Sequence, residues 1–174
     1  MIGISLIVVA MGVSLWMIYT ILSLAPWFPT RKSDIARIEV LANLKPGDTF
    51  YDIGSGDGRV VLTLAKKYSQ CHFYGYELSI WLLLYSWLRL KCSSCANVSL
   101  RLANGLLQDY STASVVYVFA TQKTLNAEPM KKIIAALPTG SLLLSYNFYI
   151  ENWSGKNSKD KSKGMTPIYI YTKS

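Results

Sequence analysis

Histidine is nearly absent from this sequence: His72 stands alone, beside only three cysteines, Cys71, Cys92 and Cys95. Three thiols cannot all pair within the chain, and reduced thiols suit a cytosolic or matrix-facing domain. Cys92-Ser93-Ser94-Cys95 has the spacing of a zinc half-site or a redox pair. No second pair exists, however, and His72 falls inside a predicted strand, so no metal site is expected and the thiols read as structural ones at a helix end. Charge is missing from residues 1–30, so all 18 basic and 10 acidic side chains, and the net charge of +8, belong to the later part. A basic excess suits nucleic acid, anionic lipid or an acidic partner and does not choose among them. An apolar content of 51% excludes a disordered chain, and 174 residues suit one domain with an appendage.

What is present centres on residues 49–59, Thr-Phe-Tyr-Asp-Ile-Gly-Ser-Gly-Asp-Gly-Arg. A short strand ends at Asp52 and Ile53, glycines follow at 54, 56 and 58, and a helical pattern begins with Val60, Val61, Leu62, Leu64 and Ala65. Glycines are needed where the backbone turns with positive φ or approaches a ligand with no Cβ in the way, so the turn is built to lay a cofactor against a helix N-terminus. Its D-x-G-x-G-x-G spacing fits neither the G-x-G-x-x-G of dinucleotide folds nor the G-K-S/T ending of a P-loop. A second short strand, His72 to Tyr76, leads into Glu77, 21 residues after Gly56. A carboxylate at that distance is the usual partner of a ribose.

Residues 2–24 form an apolar run ended by Pro26. As a helix it is roughly 34 Å long, enough to cross a hydrocarbon core of about 30 Å. A cleaved signal peptide is the rival, but there is no basic segment ahead of the run, the run is long and a cleavage site is unclear. A retained transmembrane helix is therefore expected over residues 1–25, contacting membrane lipid through residues 2–24, with Trp16, Tyr19 and Trp27 as interfacial anchors. Arg31 and Lys32 follow it, which places residues 31–174 on the cytoplasmic or mitochondrial matrix side of a single-pass membrane protein. Residues 26–48 are expected to hold a stiff Pro26-Trp27-Phe28-Pro29-Thr30 link, a short amphipathic helix capped by Ser33, and a turn at Lys45-Pro46-Gly47-Asp48.

Residues 49–174 are expected to be the catalytic domain. Ser79 caps a helix from Ile80 to Lys91 that is apolar on nearly every face. Such a helix is packed in the core on both sides, or rests one side, Trp81, Leu84, Tyr85 and Leu88, on a bilayer interface. Strands are predicted at 98–102, 114–119, 141–146 and 168–172, with a helix over 125–137 and a basic loop over 154–164. Strands alternating with helices argue for an α/β domain built on a parallel sheet with crossover connections.

The segment 51–59 resembles motif I of the class I S-adenosylmethionine (SAM) methyltransferases. With Pro26-Trp27-Phe28-Pro29-Thr30 and Tyr74-Gly75-Tyr76-Glu77, it is similar to the single-span protein-lysine methyltransferases that act on the mitochondrial ATP synthase c subunit and the adenine nucleotide translocase, together with their prokaryotic relatives. The likeness covers nearly the whole chain. It implies a doubly wound, mainly parallel Rossmann-like methyltransferase sheet of six to seven strands behind the transmembrane helix. It also implies SAM as cofactor: Gly54, Ser55, Gly56 and Gly58 against the methionine part, Asp52 on its amino group, Glu77 on the ribose hydroxyls. Where the family tends to have an Asp that meets the adenine, this chain has Asn104, which still accepts a hydrogen bond but also presents a donor.

Methyl transfer from a sulfonium needs alignment and exclusion of water more than acid/base catalysis. The catalytic residues are left open, with substrate-side candidates at the ends of the fourth and fifth strands: Ala120, Thr121, Gln122, Tyr146, Asn147 and Tyr149. The run Phe119-Ala120-Thr121-Gln122 lacks the (D/N/S)-P-P-(Y/F/W) sequence of amino-methyltransferases acting on adenine or glutamine, so nucleic acid is not the expected partner. The expected function is methylation of a lysine in a membrane protein. The alternatives are methylation of a lipid or hydrophobic small molecule, and a non-catalytic SAM-fold membrane scaffold.

Overall fold

The computed structural model describes residues 7, 10–14, 28–160 and 165–174. Seven strands form one sheet: β1 (Thr49–Ile53), β2 (His72–Glu77), β3 (Val98–Leu102), β4 (Val115–Val118), β5 (Leu142–Tyr146), β6 (Lys156–Asp160) and β7 (Ile168–Thr172), in the order β3-β2-β1-β4-β5-β7-β6. The first five strands of that order run parallel, and β7 and β6 are added antiparallel at one edge. The helices are α1 (Lys32–Ala42), α2 (Arg59–Lys67), α3 (Ile80–Lys91), α4 (Gln122–Leu125) and α5 (Glu128–Ala136).

Central parallel strands are covered on both faces and read as apolar runs, interrupted in β1 only by Asp52: all four residues of β4 are buried, as are Phe50 to Ile53 of β1. One face packs Phe50, Phe73, Leu144 and Ile168 against Ile35 and Ile38 of α1 and Val61 and Leu64 of α2. The other packs Tyr51, Val116, Val118 and Leu143 against Leu125, Met130 and Ile133. From β1 the chain winds outward through β2 to β3, then returns to place β4 on the other side of β1, so the strand order reverses between β1 and β4. Between those strands, outside their carboxyl ends, doubly wound sheets open a crevice for a ligand.

Several expectations are corrected. The single-pass membrane localisation is overturned, because among the described residues no helix is long and apolar enough to cross a membrane. A span needs about twenty continuous residues, and the described helical residues in this part of the chain are only residue 7 and 10–14. The rest of the expected span, residues 2–24, lies outside the described residues, as do Trp16, Tyr19 and Trp27. The basic segment after Trp153 is a strand where a loop is expected. Lys156–Asp160 pairs along its whole length with Ile168–Thr172, and as an edge strand it needs no apolar face, so its lysines protect the edge.

The helix expected over 125–137 is present but shorter, Glu128–Ala136, and a separate single turn of helix, Gln122–Leu125, precedes it. Ala127 takes an extended conformation between them, and Pro129, with no N–H to donate, occupies the first turn of α5. At the start of α1, Arg31 holds the cap position without a side-chain bond, so Ser33 is not the cap. Helix α3 is not packed on both sides: Leu83 and Ser86 are its only buried residues.

Candidate cofactor and methyl-transfer site

The glycine turn is held by its neighbours before any ligand is considered. The N–H groups of Gly54 and Ser55 both donate to the Tyr76 carbonyl at 2.9 Å, and Gly58 N–H donates to the Ser55 carbonyl at 2.9 Å. Gly54, Gly56 and Gly58 have φ of +80°, +56° and +70°, where an L side chain is strained. The Gly56 N–H donates to Glu77 Oε2 at 2.8 Å, and Glu77 Oε1 accepts from the Ser79 N–H at 2.7 Å. One carboxylate thereby ties the turn after β1 to the start of α3.

Beside the turn lies a cavity of about 490 Å³, walled by Asp52, Gly54, Ser55, Gly56 and Glu77 together with Tyr76, Leu106, Tyr117, Phe119, Thr124 and Thr30, and by Phe28, Trp81 and Tyr85, which are each more than half exposed and so mark its solvent side. Asp52 is directly opposite Gly75 on one side and Tyr117 on the other. The missing side chain at Gly75 is a requirement, because a Cβ there would lie 2.7 Å from Leu100 Cδ2 and 2.8 Å from Ser55 Oγ. Burial, and after it the charges of Glu77 and Asp57, hold the Asp52 carboxyl well above the usual carboxylate range. A cation beside it would restore the ionised form.

A charged chain borders the cavity. Asp57 pairs with Arg59 and Arg89, each at 2.9 Å. Arg59 Nη1 donates to the Thr30 carbonyl at 3.2 Å, and Thr30 Oγ1 and Tyr117 Oη share a hydrogen bond of 2.8 Å. Burial works to raise the Asp57 carboxyl, but its hydrogen bonds to Arg59 and the charges of Arg59 and Arg89 outweigh this and hold it below the ordinary value. Burial and the nearby Asp52 charge push the Tyr117 phenol well up, so it stays protonated.

Of the remaining predicted residues, Ala120 lines the cavity and the others are placed apart from its wall. Gly58 packs against α3, where a Cβ would approach Ser86 Cβ to 3.1 Å. Asn104 Oδ1 accepts from the Leu106 N–H at 3.0 Å and so caps the short 3-10 turn Gly105–Leu107. Thr121 caps α4, and Gln122 Nε2 donates to the Tyr149 carbonyl at 2.7 Å. Tyr146 is buried and donates to Asp34 Oδ2 at 2.5 Å, while Asn147 is exposed with φ +74°. At these strand ends it is Ala120 and Thr124 that reach the cavity. Reading the sequence missed Thr30, Asp57, Arg59 and Tyr117 as wall residues. Asp57 and Arg59 lie inside the quoted motif, whereas Thr30 and Tyr117 meet only through the fold.

Residues 52–157 match the ANTKMT methyltransferase domain. The chain belongs to that family. Its ANTKMT-type domain resembles a protein-lysine N-methyltransferase of Saccharolobus islandicus (strain REY15A), with 27% identity over 150 residues, 84% of this chain and 92% of the relative. Among solved structures it resembles an RNA methyltransferase from Salinibacter ruber in complex with S-adenosyl-L-homocysteine, with a TM-score of 0.75 and 26% identity, covering 83% of this chain and 93% of that one. A precorrin-6y C5,15-methyltransferase from Geobacter metallireducens GS-15 shares the fold, with a TM-score of 0.66 at 18% identity over 86% and 92% of the two chains.

The protein is a SAM-dependent methyltransferase. The cavity fits that cofactor on its own chemistry: Ser55 Oγ is buried in the wall with no hydrogen-bond partner, and Asp52 lies buried where an ammonium group would restore its charge. When bound, SAM supplies a methyl group on a positively charged sulfur, open to attack by a nucleophile. Residues of the cavity wall would bind and orient it and keep water from the reacting end.

Proposed function

We propose that this methyltransferase delivers the methyl group to the side-chain nitrogen of a lysine in a protein, with Asp52, Gly54, Ser55, Gly56 and Glu77 as the cofactor-contacting residues. The observation that carries the reading is the likeness to the protein-lysine N-methyltransferase over 92% of that relative's length. The narrower form of the proposal takes the lysine from a membrane protein. A lysine must be neutral to attack, and at pH 7 losing its proton costs roughly 4.6 kcal/mol from a reference pKa of about 10.4. An apolar entry lowers that cost by disfavouring the ammonium form, and Phe28, Trp81 and Phe119 supply apolar surface along the cavity. Tyr117, protonated, serves as a hydrogen-bonding group and not as a base.

A second reading, RNA as the acceptor, draws on the likeness to the Salinibacter ruber enzyme and on the net charge of +8. The test is incubation of the full-length protein with methyl-labelled SAM and an extract of its own cells, for wild type, Glu77→Ala and Gly56→Arg. Protease-sensitive label that hydrolyses to methyl-lysine, and is lost in both variants, supports the proposal. Ribonuclease-sensitive label transfers the reading to RNA. Label extracted into organic solvent points to a lipid. SAM binding without transfer leaves a scaffold.

A further inference from the structure

We infer that the outward stripe of α3 is the surface on which the acceptor polypeptide lies, and that it selects an apolar segment with acidic rather than basic residues flanking the lysine. This rests on the protein-lysine reading. Whatever surrounds a lysine that enters the cavity must lie against the surface around the opening. Helix α3 forms a large part of that surface, beside the exposed Phe28. Its inner side is anchored, with Leu83 buried and Trp87 Nε1 donating to the Leu100 carbonyl at 3.1 Å. Its outer side leaves Trp81 69%, Leu84 44%, Tyr85 54% and Leu88 59% exposed.

These four positions repeat at the spacing of one helix face. Trp81 and Tyr85 also wall the cavity, so the stripe runs continuously from the opening along the helix. Exposed apolar patches of this extent mark interaction sites. Charge narrows the occupant. Helix α3 has no acidic residue, and its last turn carries Arg89 and Lys91. In the cavity wall Asp57 is shared between Arg59 and Arg89, one negative charge between two positive ones, and the wall carboxylate of Glu77 is turned to the Gly56 and Ser79 N–H groups. A basic segment is repelled there and an acidic one is drawn in.

The test compares two synthetic peptides of equal length, each with one lysine, one flanked by Leu, Ala and Asp and the other by Ser, Gly and Arg. Initial rates are measured with wild type and with Leu84→Ser/Leu88→Ser, whose substituted positions are exposed and outside the cavity wall. Wild type is expected to prefer the apolar acidic peptide. The double variant is expected to raise KM for that peptide roughly tenfold or more, from the lost burial of two leucines, with kcat, SAM affinity and Tm unchanged and the other peptide unaffected. Lysine methylation with the same KM in both proteins overturns the inference and leaves the protein-lysine reading standing. No methylation of any peptide or protein lysine overturns both. A concentration-dependent dimer, or flotation with anionic phosphatidylglycerol vesicles, that the double variant abolishes while peptide kinetics stay unchanged assigns the stripe to a second copy or to lipid and overturns it as well.

Discussion

Replacing Glu77 by Gln keeps the side chain's volume and removes its charge, which isolates what the carboxylate does. Its two oxygens accept from two backbone N–H groups, Gly56 at 2.8 Å and Ser79 at 2.7 Å. Glutamine has one oxygen and one NH2, so whichever way the amide turns, a donor faces a donor. One hydrogen bond to a charged group is lost, worth about 1.5–3 kcal/mol, and the other becomes neutral and weaker. Water at the half-buried site recovers part of this, leaving a net loss of about 1–3 kcal/mol. For a chain of this size that lowers Tm by roughly 2–10 °C. Differential scanning calorimetry without SAM reads the loss directly, apart from any ligand effect. Isothermal titration should then show SAM affinity at least about tenfold weaker, since the displaced turn forms the cavity floor. An unchanged Tm would refute the idea that this carboxylate ties the turn to α3. A lowered Tm with unchanged SAM affinity would refute the proposed role of Glu77 at the cofactor.

Three further outcomes follow from the same geometry. Gly75→Ala puts a Cβ against Leu100 and Ser55 at under 3 Å; the overpacking should cost about 1–3 kcal/mol in urea unfolding, with SAM affinity falling as Ser55 is pushed. Asp52, its folded pKa raised by burial, contributes stability that is present below the unfolded value near 3.8 and is lost as pH rises through the folded pKa. Asp52→Asn should therefore raise Tm at pH 7 while SAM no longer produces a thermal shift; a variant that is less stable and still binds would contradict this. Asp57 has the opposite sign, its folded pKa lowered, so its contribution is present above about pH 4 and is lost as pH falls through the folded value. Asp57→Asn should cost about 1–2 kcal/mol at pH 7, discounted for the partly exposed arginines, and should flatten the fall of Tm below pH 4.

The part of the cavity wall formed by Asp52, Gly54, Gly56 and Glu77 could be picked out from the chain because its signals are local. Asp52, the three glycines and Glu77 lie at the ends of two short apolar runs, and strands buried on both faces are apolar at consecutive positions. Contacts that the fold makes between distant segments could not be read. Thr30 and Tyr117 are 87 residues apart and meet at 2.8 Å, and Asp34 reaches Tyr146 across 112 residues. Neither pair leaves a periodic trace. The polar strand 156–160 was hidden for a related reason: its reason to be a strand is its partner, Ile168–Thr172, and not its own side chains.

By itself, the sequence determined the cofactor chemistry. Backbone conformations open to glycine and a carboxylate one strand away are properties of residue type and spacing. The tertiary structure decided which polar groups share the cavity and which face of α3 stays uncovered. A helix apolar all round can be buried on both sides or on one, and the choice falls to whatever the rest of the fold packs against it. Here Leu83 and Ser86 met the sheet side, and Trp81, Leu84, Tyr85 and Leu88 were left facing out beside the opening.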